Sequence, residues 1–130
     1  MKSKWITVTA AEIKALNATA KQLVAAPGAG KGLVFKGAKI RKSAGTAYDG
    51  IAAGEDLAIC YTNISGVQVG GQECTGFMDQ ITTMANEIKP IVANLKVTPN
   101  AALVIGMLTG EIATGNATLK VQVEYDIISF

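Results

Sequence analysis

The stretch Ala25-Ala26-Pro27-Gly28-Ala29-Gly30-Lys31-Gly32 has the glycine and lysine content of a loop that cradles phosphate. That chemistry needs a glycine five residues before Gly30, where Ala25 stands, and a Ser or Thr after the lysine to hold magnesium, where Gly32 stands. It also needs a helix next, so that backbone amides point at the phosphates, yet Leu33-Val34-Phe35 reads as a strand. The stretch is therefore read as a turn. Asp49, Glu55 and Asp56 offer oxygen ligands on flexible backbone, as a calcium ion requires, but their spacing matches no calcium loop and fits a solvated acidic loop. Nothing in the sequence brings two carboxylates together for glycoside hydrolysis. Trp5, Tyr48 and Tyr61 could form a platform for a sugar or a base, but with 5% aromatic residues the rings are needed for the core or an interface. Histidine is absent, which removes the commonest general base and the commonest metal ligand. The two cysteines, Cys60 and Cys74, are too few for a disulfide framework, and Cys60 lies in an apolar run where a thiol packs as a small hydrophobe. The expectation is a protein with no catalytic residue, no cofactor, no metal and no small-molecule substrate.

The elements that would carry these residues are mostly strands. Leu119, Val121, Val123, Tyr125 and Ile127 alternate with Lys120, Gln122, Glu124 and Asp126 up to Phe130, the period of a strand with one face in a core. Chain ends fray unless held, so this apolar end is expected to be sewn into a sheet. Trp5 to Val8 reads as a strand running into Thr9-Ala10-Ala11-Glu12, a capping box, so a short helix should follow and bury Ile13 and Leu16. Lys21 to Ala26 and Gly32 to Lys42 read as the strands of a hairpin, and Ser43 to Asp56 as an exposed excursion. Leu57 to Thr62 and Val67 to Val69 read as a second hairpin around Asn63-Ile64-Ser65-Gly66. Met78, Ile81, Met84, Ala85 and Ile88 recur at helical spacing before Pro90, which predicts a helix of about three turns. Ile91 to Val97 reads as extended, and Ala101 to Thr109 as a central strand, apolar on both faces, that Gly110 to Asn116 joins to the last strand as a final hairpin in the middle of the core. Together these predict one domain over 1–130, mainly β, a β-sandwich or jelly-roll-like fold with one or two short helices; an open barrel is the alternative.

Apolar residues make up 49% of the chain and charged residues 17%, against about a quarter in an ordinary soluble domain. A surface so poor in charge is more easily explained if part of it is buried against other subunits. The segment after Met1-Lys2-Ser3-Lys4-Trp5 is too short and polar for a signal peptide, and no run is long enough to cross a bilayer. The protein is expected to be made in the cytosol and to avoid membranes. Residues 1–42 hold nine of the twelve basic side chains and a single acid, Glu12, while the remainder holds nine acids. Lys31, Lys36, Lys39, Arg41 and Lys42 fall on one strand and its flank. Such polarity fits an acidic partner, head-to-tail pairing between copies, or pairing of the two halves inside one monomer. Specific nucleic-acid readout is not expected, because the basic residues are not interleaved with aromatics and no recognition helix is present.

The opening Ile6-Thr7-Val8-Thr9-Ala10-Ala11-Glu12-Ile13-Lys14-Ala15-Leu16-Asn17-Ala18-Thr19 and Gln22-Leu23-Val24-Ala25-Ala26-Pro27-Gly28-Ala29-Gly30-Lys31 resemble the start of small virion proteins of tailed bacteriophages. The resemblance continues through Gly45-Thr46-Ala47-Tyr48, Thr75-Gly76-Phe77-Met78-Asp79, the stretch from Asn100 to Glu111, and Leu119 to Tyr125; Gln80 to Lys89 departs from it. It implies a structural, non-enzymatic β-rich component, a homotrimeric capsid decoration or cement protein whose partners are itself and the major capsid protein. The virion would be its final location. Subunit contacts are expected at Trp5, Phe35, Ile128 and Phe130. The basic strand bearing Lys36, Lys39, Arg41 and Lys42 would face an acidic capsid surface. A receptor- or glycan-binding module of a head fibre or tail is the second expectation, with Tyr48 to Asp56 as its binding loop.

Overall fold

The structure is a computed structural model that describes residues 1–51, 54–110 and 112–130. The expected excursion Ser43 to Asp56 and the expected connection Gly110 to Asn116 thus fall partly outside the described residues, at Ala52, Ala53 and Glu111. The chain runs β1 (Lys2–Val8), α1 (Ala10–Lys14), β2 (Lys21–Val24), β3 (Lys31–Lys42), β4 (Tyr48–Asp49), β5 (Asp56–Tyr61), β6 (Gln68–Glu73), β7 (Met84–Ile88), β8 (Leu103–Met107), β9 (Ala113–Thr114) and β10 (Leu119–Ser129). Two four-stranded sheets have the orders β1-β10-β3-β7 and β2-β8-β5-β6, called the first and second sheet below, and β4 and β9 form a small ribbon. Every pairing is antiparallel.

This order has a simple logic. The eight principal strands pair as nested hairpins, β5 with β6 innermost, then β3 with β7, β2 with β8, and β1 with β10 outermost. The nested ribbon then rolls up, so that β10 also pairs β3 and β8 also pairs β5. That is the jelly roll, two Greek keys in a double sheet. The mainly β, sandwich-type expectation holds, and the two separate sheets exclude an open barrel. The roll also corrects two expected hairpins. β2 and β3 lie in different sheets, as do β8 and β10, because consecutive strands of a rolled ribbon cross from one sheet to the other everywhere except at its tip. The β5–β6 hairpin, which is the tip, forms as expected.

Side chains from the inner faces of both sheets meet in one core, among them Phe35, Ile40, Val121 and Val123 of the first sheet and Leu57, Ile59, Leu103 and Ile105 of the second. Gly70 gives Phe35 its room, since a Cβ there would stand 3.1 Å from the Phe35 ring and 2.9 Å from Ile88. Tyr61 ties the sheets together by donating its hydroxyl to the Leu33 carbonyl at 2.5 Å. Thr9 caps α1 with the full capping box, and Ile13 and Leu16 are buried as the spacing demands. β8 is buried at every residue, as a central strand should be. Cys60 and Cys74 are buried, free thiols. Among the described residues no helix is long and apolar enough to cross a membrane.

The expected helix from Met78 does not form; the segment is a series of turns followed by the edge strand β7. A helix would use the carbonyls of this segment internally, four residues along. Here Tyr48 N takes Met78 O and Gly45 N takes Ile81 O. Lys42 Nζ takes Gln80 O at 2.9 Å and Thr82 O at 2.6 Å. With its carbonyls occupied by residues 42–48, the segment has no helical ladder to build. The helical spacing of its apolar residues was fortuitous, since Ile81 is 66% exposed while Met78 and Ile88 are buried. Ile91 to Val97 forms bends and irregular backbone with no strand.

Candidate functional site

Residues directly opposite one another in a sheet share a face. On the first sheet, one row across the outer face reads Trp5, Gln122, Lys39, Glu87, and the next reads Thr7, Lys120, Arg41, Ala85. These are the positions that alternate with the partly buried Ile6 and the buried Val121 and Ile40. The rows make a flat, water-facing platform on which polar side chains are set by backbone register. Trp5 is 47% exposed on the edge strand β1. The Arg41 guanidinium lies 4.7 Å from its ring centroid, a cation–π contact that fixes both side chains. Shallow depressions flank this pair. One, of about 330 Å³, is lined by Lys39, Asn86, Glu87 and Gln122; the other, of about 310 Å³, by Ile6, Thr7 and Lys120.

A bulge explains why the basic residues of β3 do not act together. Register is kept from Leu119↔Lys42 to Glu124↔Gly37, then jumps to Tyr125↔Phe35, so Lys36 is the extra residue. Gly37 has φ +140°, a conformation that side chains rarely adopt. Beyond the bulge the inward positions of β3 shift from Ala38 to Phe35. Phe35, an expected subunit contact, is consequently buried in the core at 2% exposure. Lys42 lies on the inward side as well, 1% exposed, with its ammonium donating to the carbonyls of Ser43, Gln80 and Thr82. Burial holds its pKa below that of an ordinary lysine, with Asp79 pushing the other way. Neither residue is available to a partner surface, and both leave the set of expected contacts.

Lys36 and Lys39 are exposed but already paired within the chain. Lys39 meets Glu124 at 3.0 Å and Lys36 meets Asp126 at 3.8 Å, both on β10. The two charge halves of the sequence thus do pair inside one monomer along the β3–β10 seam. Arg41 is left as the expected basic contact whose charge meets no acid among the described ion pairs. Lys120, its direct neighbour on β10, shares that condition and was not singled out from the sequence. Its signal was present, since it is a polar position of the alternating last strand. Asn86 and Glu87 were hidden by the helical reading of their segment.

Ile128 and Phe130 are exposed at 38% and 65%, with Ile127 at 43% beside them. β1 pairs β10 only as far as Lys2↔Tyr125, whereas β10 continues along β3 to Ser129↔Lys31. Among the described residues, the far end of β10 therefore has one edge without a strand beside it. Phe130 rests over Gly32 next to Val97, where a Cβ on Gly32 would collide with both. Tyr48, by contrast, is buried with its hydroxyl donated to Ala117 O, so the Tyr48 to Asp56 loop presents no exposed ring. Among the described residues no group of acids and cysteines is placed to hold a metal ion. No protein-family model, curated protein or solved structure matched the chain in comparison.

Proposed function

We propose that this chain is a structural protein of a phage virion, a homotrimeric capsid decoration protein that stabilises the assembled head and catalyses no reaction. The observation that carries the reading is the apolar end of β10. Ile127 and Ile128 on β10, and Phe130 just after it, stay exposed beside an edge that no strand covers among the described residues, in a chain whose charged fraction is 17%. Exposed apolar edges are a hazard for a free monomer and are normally covered. The jelly roll is compatible with this role, since it recurs in viral capsid and lectin domains, although fold alone assigns none. The mechanism is mass action: a protein that binds only the assembled shell, through its major capsid protein, stabilises that shell by the free energy of binding. The protein is made in the host cytoplasm and ends in the virion.

Light scattering should give the mass of three chains, and occupancy should be high on assembled shells and low on unassembled capsid subunits. Ile128→Ser with Phe130→Ser should lower shell occupancy at least tenfold without changing the fold by circular dichroism. A single-chain mass together with unchanged occupancy of the double variant would overturn the reading. The flat platform favours a second reading, a glycan-binding module in which Trp5, Gln122 and Asn86 replace the buried Tyr48 as the recognition surface. Retention on a glycan array, lost in Trp5→Ala, would favour it.

A further inference from the structure

Two pairs of like charges stand directly opposite each other on neighbouring strands, one basic and one acidic. Arg41 and Lys120 are register partners on the outer face of the first sheet. Asp56 and Glu73 are register partners where β5 begins and β6 ends. Leu57, next to Asp56, points into the core, so the two acids project from the outer face of the second sheet, and both are exposed. None of these four residues takes part in an ion pair among the described residues. Like charges set opposite each other across two strands destabilise the pairing. A chain with few charges that keeps two such pairs, of opposite sign and on opposite faces, is built to receive a counter-charge from outside, and each pair is what the other lacks.

Apolar groups accompany both. Trp5 stands beside Arg41 at the basic pair. At the acidic pair, Leu108 is 42% exposed, one residue past Met107, whose partner Leu57 adjoins Asp56. Tryptophan and arginine are the side chains that most often anchor protein interfaces. The depressions beside Trp5 are shallow, which suits a protein surface better than a small ligand that must be largely enclosed. We propose that the Arg41–Lys120 face of one copy docks on the Asp56–Glu73 face of a second copy, with Trp5 seated against Leu108. The two sides of this contact differ, so it is heterologous: repeated, it closes into a ring or runs on as a fibre. The inference rests on the trimeric reading above, in which the ring closes at three.

The test is light scattering on the purified protein and three charge variants, each checked for an unchanged melting temperature, as expected for exposed residues. Arg41→Glu with Lys120→Glu should reduce the three-chain mass to one chain, and so should Asp56→Lys with Glu73→Lys. Combining all four substitutions restores complementary faces and should return the three-chain mass, which mere damage to a surface could not do. Raising salt to about 1 M should weaken the wild-type oligomer, since screening then acts over about 3 Å. A three-chain mass in every variant would remove this contact while leaving the trimer standing. Growth without limit, abolished by either reversal, would support the contact and overturn closure at three. A single-chain mass in the wild type would overturn both.

Discussion

At the scale of single residues, Lys42 and Tyr61 decide more than their number suggests. Lys42 uses its three ammonium hydrogens on the carbonyls of Ser43, Gln80 and Thr82, and so stitches the turn segment before β7 to the end of β3. Lys42→Met keeps the aliphatic stem but takes the donor from three carbonyls whose bonds to it are part-buried. The expected loss is about 1–3 kcal/mol by urea denaturation, because each lost hydrogen bond contributes about 0.5–1.5 kcal/mol and water can reach part of the freed carbonyls. Tyr61 is a titration switch of the opposite kind. Burial pushes its hydroxyl, and the Cys74 thiol, up to about 12. The unfolded chain releases these protons at about pH 10 and 8.5. Between those values and pH 12 the unfolded state binds fewer protons than the folded state, so stability falls as pH rises. Melting temperature should be level from pH 6 to 8 and decline from about pH 9 upward. Tyr61→Phe should be less stable at pH 7, having lost the bond to Leu33, and show a shallower alkaline decline.

At the scale of elements, the bulge at Lys36–Gly37 governs which side chains of β3 face water. Gly37→Val would force a branched side chain into φ +140° with its Cβ 3.1 Å from the Ile88 carbonyl. A loss of about 2–3 kcal/mol is expected, read as an earlier denaturation midpoint with an unchanged slope. The bulge also marks what could be read in advance. β10, β5 and the capped α1 were legible because their signals are local: a period of two, turn residues, and a capping box four residues long. The β2–β3 pairing failed because Pro27-Gly28-Ala29-Gly30 specifies a turn but not the sheet into which the chain turns. The helix expected from Met78 failed because its carbonyls are claimed by Lys42, Gly45 and Tyr48, which are distant in sequence. Of the site, Trp5 and Arg41 were legible as exposed strand residues. Burial of Phe35 and Lys42 depends on the bulge, and the internal pairing of Lys36 and Lys39 depends on the register of β10.

At the scale of the whole molecule, the sandwich separates two surfaces of different character. The outer face of the first sheet is polar and ordered by register. The second sheet instead turns small residues outward, with Ala58, Cys60 and Val104 sealed beneath neighbouring loops. A partner that reads side-chain chemistry therefore has the first sheet and the exposed acids at the corner of the second to engage. The nested pairing has a further consequence, for biosynthesis. In the first sheet β10 is an interior strand, with β1 and β3 on either side. While a ribosome is still making residues 119–129, β1 and β3 have no strand to lie between them, and half of the core stays open to water. The strands of the second sheet and the β3–β7 pair all precede residue 119 and can pair earlier. The first sheet is thus completed only once residues 119–129 are available, through distant contacts that slow folding, and nascent chains stalled before residue 119 should remain protease-sensitive where chains that include β10 resist.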